Sequence, residues 1–110
     1  MEHNLLAGLD GYEDIRETAR SIARILGAEV IYLYNHRIDS SGRLTTCKLA
    51  AIAELTDREE GMRRVYREAD CELPFDLVIY TPAEWEELTR QKTAFATHIK
   101  NTGHIVYEKG

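Results

Sequence analysis

Val30-Ile31-Tyr32-Leu33-Tyr34 opens the stretch of residues 30–55, VIYLYNHRIDSSGRLTTCKLAAIAEL, in which two apolar runs are joined by a polar, glycine-containing connection. The first run is β-branched and aromatic, which predicts a strand buried on both faces. The second run, Leu49 to Leu55, is alanine-rich and carries Ile52 and Leu55 toward its end, and it predicts a second strand. Asn35 to Thr46 reads as the connection, because Asp39-Ser40-Ser41-Gly42 is turn chemistry. Two such strands would bring the residues just past Tyr34 and those along Lys48 to Glu54 to one cleft. Chemistry is expected there.

Working outward, Ile15, Ala19, Ile22, Ala23, Ile25 and Leu26 fall at helical spacing, with Glu13, Arg16, Glu17 and Arg20 between them. A helix from Tyr12 to Leu26 follows, started at Asp10 or Gly11 and closed by Gly27. Met1 to Gly8 reads as a frayed lead-in. Thr56 or Asp57 caps the next helix, with Glu59 and Glu60 in its first turn and Met62, Val65, Tyr66 and Ala69 as its apolar stripe. Gly61 should weaken that helix by about 1 kcal/mol relative to alanine. Pro74 to Tyr80 is the cleanest strand, and it carries a single charge, Asp76. Thr81-Pro82-Ala83-Glu84 is a capping box with proline in the first turn, placing Trp85 and Leu88 toward the core. Lys92 to Thr102 predicts a last helix with Phe95, Ala96 and Ile99 inward, stopped by Gly103. His104 to Glu108 closes the chain as an extended segment. The order α-β-β-α-β-α-α-β predicts a mixed α/β (α+β) fold, a small mixed sheet with helices packed on it.

With 110 residues the chain suits one domain, residues 1–110, with a single core. A net charge of −5 argues against broad binding of nucleic acid, which needs clustered Lys and Arg. No apolar run approaches the ~20 residues that span a bilayer, and the first residues lack the basic-then-apolar layout of a secretory leader. The expectation is a cytoplasmic protein without a membrane segment. Cys47 and Cys71 match no paired ligand spacing and read as reduced thiols, with a structural disulfide between them as the alternative.

The order of elements resembles the minimal nucleotidyltransferase family, small members of the DNA polymerase β-like superfamily, over most of the chain. The best-matched part is PFDLVIYTPAEWEELTRQKTAFATHIKNTGHIVYE, where Asp76 stands at the place of the family's third acidic residue. In that family a Gly-Ser ends the first strand, and an Asp-x-Asp follows about ten residues on. The glycine lets backbone approach nucleotide phosphates, and the three carboxylates hold two magnesium ions for phosphoryl transfer. Here Asn35-His36 fills the Gly-Ser place and Cys47-Lys48-Leu49 fills the Asp-x-Asp place, with Arg37 and Asp76 retained. Neither Cys47 nor Leu49 offers oxygen ligands to Mg²⁺. Glu54 has the opposite strand parity and Asp39 lies in the connection, so neither replaces them.

On this reading Asn35, His36, Arg37, Cys47, Leu49 and Asp76 line a vestigial cleft, with no catalytic residue, no metal and no cofactor. His36 and Cys47 would be two soft-metal ligands, too few for a site, or His36 would pair with Asp76 across the cleft. The resemblance implies a catalytically inactive domain acting as a protein-binding or regulatory module, antitoxin-like, since such domains in the family are commonly paired with a helical partner protein. A homodimer through a strand edge or the Met62–Tyr66 helix is the other partner reading. Met62, Arg63 and Tyr66 are the interface candidates. The alternative is a nucleotide-binding protein or a nucleotidyltransferase with a non-standard site, using Arg37, Lys48 and Asp76, with nucleotide and Mg²⁺ as its ligands.

Overall fold

The structure is a computed structural model and describes residues 5–71 and 73–110. Its elements are α1 (Tyr12–Leu26), β1 (Val30–Ile38), β2 (Leu44–Ile52), α2 (Arg58–Glu68), β3 (Phe75–Tyr80), α3 (Pro82–Leu88), α4 (Phe95–Thr102) and β4 (His104–Glu108). The strands form one sheet in the order β3-β2-β1-β4. β1 is antiparallel to both β2 and β4, while β2 and β3 run parallel. The fold is therefore a small mixed α/β domain, as the pattern of elements predicts.

Both faces of the sheet are covered, by different helices. On one face Ile15 and Ile22 of α1 and Val65 of α2 bury themselves against Ile31, Leu33, Leu49, Ala51 and Ile79. On the other, Ile99 of α4 packs with Tyr32, Ala50 and Ile52, and Trp85 of α3 leans on the rings of Tyr32 and Tyr80. Alternation along each strand produces this division, since from Cys47 onward odd positions of β2 and β3 enter the first cluster and even ones the second; Leu44, before the register shift, also joins the first. Each fully buried Ile or Leu adds roughly 1.5–3 kcal/mol to the association of the layers.

The local signals act as their chemistry requires. Gly11 and Gly27 flank α1, and Gly27 adopts φ 68°, the left-handed conformation that releases the chain into β1. The Asp57 carboxylate accepts from the Glu60 N–H at the start of α2. At α3 the Thr81 hydroxyl accepts from the Glu84 N–H and the Glu84 carboxylate accepts from the Thr81 N–H.

Four expectations need correction. The segment Asn35 to Thr46 is largely strand: β1 continues to Ile38 and β2 begins at Leu44, so the reversal is confined to residues 39–43. Asp39 organises it, its carboxylate accepting from the Ser41 N–H, the Ser41 hydroxyl and the Arg43 N–H. Those bonds hold its pKa below the usual carboxylate range, the Ser41 hydroxyl contributing most. The second strand ends at Ile52 rather than Leu55, which leaves Glu54 outside the sheet. Residues 5–8 form a short 3-10 helix that buries Leu6, so the lead-in is docked there; its residues 1–4 lie outside the described residues. The last helix starts at Phe95, not Lys92, and the Phe95 ring is 53% exposed, not inward.

Candidate functional site

The residues expected to share one cleft divide between the two faces of the sheet. In the parallel pair, Cys47 is opposite Phe75, Lys48 opposite Asp76 and Leu49 opposite Leu77. Cys47 and Leu49 are 2% and 0% exposed in the cluster beneath α1 and α2. Lys48 and Asp76 point the other way. His36 is the register partner of Cys47, which puts it on the face away from Asp76 and rules out the His36–Asp76 pair. Burial pushes the Cys47 thiol up to about 11, so it stays protonated at neutral pH.

Asn35, Arg37, Lys48 and Asp76 do come together, joined by Thr46. β1 carries an irregularity between Leu33 and Asn35 that leaves Tyr34 as the extra residue, and Asn35 then faces Lys48 while Arg37 faces Thr46. Asn35, Lys48 and Asp76 thus form one cross-strand row, with Arg37 and Thr46 as the next. Arg37, Thr46, Lys48 and Asp76, with Pro74, Phe75 and the 2% exposed Cys47 between Thr46 and Lys48, line an open groove of about 320 Å³. Among the described residues, the side chains of Arg37, Lys48 and Asp76 make no ion pair and no hydrogen bond. By contrast, Arg20, Arg43, Arg58, Arg63, Arg64, Arg67 and Arg90 are all ion-paired.

Tyr34, the extra residue of β1, packs against the Ile99 cluster and meets Phe95 edge to face with ring centroids 5.4 Å apart. Its phenol is held above its ordinary value by burial first and by the Asp76 charge second. The Asp76 carboxylate therefore lies within electrostatic reach of Tyr34.

A pair of magnesium ions does not fit this donor set. The groove offers one carboxylate, Asp76, next to the Lys48 ammonium, and a divalent cation there would meet that positive charge. Among the described residues no three His, Cys, Asp or Glu side chains stand close enough to hold a metal.

A second surface lies on α2. The Tyr66 ring is stacked on Phe75 with centroids 5.1 Å apart and planes within 5°. Met62, Arg63 and Tyr66 line a shallow open depression with Glu59 and Arg67, so the interface candidates share one helix face. Tyr66 is 54% exposed, although its place in the apolar stripe predicts burial. Phe75 joins the two surfaces, lining the groove on one side and carrying Tyr66 on the other.

No protein-family model, no curated protein and no solved structure matches this chain.

Thr46 and Phe75 are the site residues that sequence reasoning missed. For Thr46 the signal was present: it shares the parity of Lys48, the register partner of Asp76. For Phe75 it was absent, since strand alternation groups it with the buried Leu77 and Ile79. No helix among the described residues is long and apolar enough to cross a membrane.

Proposed function

We propose that this chain is a non-catalytic, cytoplasmic binding domain related to the minimal nucleotidyltransferases, which acts by engaging a protein partner in a regulatory, antitoxin-like role. The observation that carries the reading is the half-exposed Tyr66–Phe75 stack with Met62 beside it, running without a break into the unpaired charges of the groove. Exposed aromatic and methionine side chains bordered by arginine are the composition of contact centres. The groove supports the non-catalytic half of the reading. Its positions nearest Asp76 hold a neutral hydroxyl and an ammonium where the family has carboxylates, which leaves one anionic oxygen ligand for two divalent ions.

Thermal melting against ATP, CTP, GTP and UTP, each with and without Mg²⁺ or Mn²⁺, tests it, because a ligand of the folded state raises the melting temperature. No shift is expected. A metal-dependent shift followed by transfer from labelled nucleotide would overturn the reading.

One observation favours a second reading, a nucleotide sensor: Arg37, Lys48 and Asp76 converge and are unpaired. Arg37 and Lys48 would hold phosphate while Phe75 presents ring surface. A metal-independent melting shift that Lys48→Ala abolishes would establish it.

A further inference from the structure

The exposed stripe of α2 reads the same from both ends once a second copy is laid against it antiparallel. Glu59 begins the stripe, Met62 and Tyr66 form its centre and Arg67 ends it. Glu59, Arg63 and Arg67 follow one another at intervals of four residues, and Met62 and Tyr66, also four apart, lie along the same side of the helix. Glu59 makes no ion pair among the described residues, and Arg67 is paired only with its chain neighbour Glu68 at the surface. A two-fold axis near residue 63 sets Glu59 of each copy against Arg67 of the other, with Arg63 beside the axis and Met62 and Tyr66 flanking it. A parallel arrangement would set Glu59 against Glu59 and Arg67 against Arg67.

We infer that the chain forms a two-fold dimer through antiparallel packing of α2, closed at each end by a Glu59–Arg67 pair. The inference rests on the binding-domain reading and names a second copy as a partner. Three features suit the seam. Arg63, next to the axis, is already held by Glu60 at 2.9 Å, which compensates the charge brought closest to its own copy. The Tyr66 ring is fixed by its stack on Phe75, so little side-chain freedom is lost on contact. The surface is open and shallow, as self-complementary helix packing requires.

Sedimentation equilibrium over a concentration series tests this, with circular dichroism to confirm that each variant keeps its helices. The native chain is expected to approach twice its 12.6 kDa mass as concentration rises. Glu59→Arg or Arg67→Glu alone should weaken association at least tenfold, since each puts like charges in contact at both ends of the seam. The double exchange Glu59→Arg/Arg67→Glu should restore it. A chain that stays monomeric at millimolar concentration overturns the inference, as does a dimer that the single exchanges leave intact. Single exchanges that weaken a dimer without rescue by the double exchange overturn the antiparallel register. None of these outcomes bears on the nucleotide melting series, so failure of the dimer and failure of the binding-domain reading are separate results.

Discussion

The hydroxyl of Tyr66 donates to the carbonyl of Phe75 at 3.4 Å while the two rings lie flat on each other. An α2 side chain thereby covers an outward-facing backbone group of β3, the edge strand of the sheet. Arg58 does the same at the far end, donating to the Ile79 carbonyl at 3.1 Å. The helix guards that edge against pairing with another strand.

This arrangement ranks two substitutions. The hydroxyl bond is long and half-exposed, so Tyr66→Phe should cost no more than about 0.5 kcal/mol. Tyr66→Ala also removes the stack and should cost about 1–2 kcal/mol. Urea denaturation gives both values. Equal losses would mean that the hydroxyl, and not the ring, holds α2 to the edge.

Gly61 reverses a propensity argument. Taken alone, alanine there would stabilise α2 by about 1 kcal/mol. In the fold Gly61 is buried, and a Cβ would stand 2.8 Å from Leu55 Cδ1 and 3.2 Å from Leu26 Cδ2. Both leucines would have to move, and crowding of this kind offsets the helical gain. Gly61→Ala is expected to leave stability unchanged or lower it in the same urea assay. A gain near the full propensity value would show that α2 packs more loosely than the structure has it.

The two outcomes separate what the chain states openly from what it does not. Helix ends were legible because capping is local: Asp57, Thr81 and Gly27 act on their own neighbours. The outer hairpin, residues 35–38 and 44–46, was not. Its side chains are mostly solvated, and its strands exist because they pair with each other, which apolar periodicity does not report. The site suffered more than the fold from a single hidden feature. An extra residue at Tyr34 resets parity along β1, and a strand read one residue out of step exchanges every side chain with the opposite face. His36 was therefore expected beside Asp76, whereas Cys47 and Leu49 were placed in the cleft by the family's Asp-x-Asp motif and the pairing of β2 with β3 puts Thr46 and Lys48 there instead.

Glu84 gives α3 a pH signature. Its carboxylate is held below the ordinary glutamate value of 4.5, first by the Thr81 backbone N–H and then by the Arg58 guanidinium at 2.7 Å. A carboxylate with a lowered folded value adds stability above its ordinary value and loses it as pH falls through the folded one. Between about pH 6 and pH 3, the native chain should lose more stability than Glu84→Gln, measured by urea midpoints. The difference should be small, because the side chain is 39% exposed. Parallel curves for the two proteins would mean that the capping box tolerates a neutral residue equally well.

The division of the sheet into faces makes the strongest demand. Thr46 and Lys48 are two residues apart on one face of β2, and Asp76 is the register partner of Lys48 on β3. Thr46→Asp/Lys48→Asp would therefore place three carboxylates in one open groove, an oxygen set suited to Mg²⁺ or Mn²⁺. Binding of Mn²⁺ should raise the melting temperature of this variant, and chelator should reverse the rise; the native chain should not respond. Without metal the variant should melt lower than the native chain, since three like charges repel across neighbouring strands. Cys47→Asp/Leu49→Asp is the matched control at the positions first aligned with the metal-binding motif. Both lie in the core beneath α1 and α2, where an unpaired carboxylate is costly to bury, so that variant should fail to fold with or without metal. If the control folds and binds Mn²⁺ while the first variant does not, the faces of β2 are the reverse of those described, and the groove is not where Asp76 meets β2.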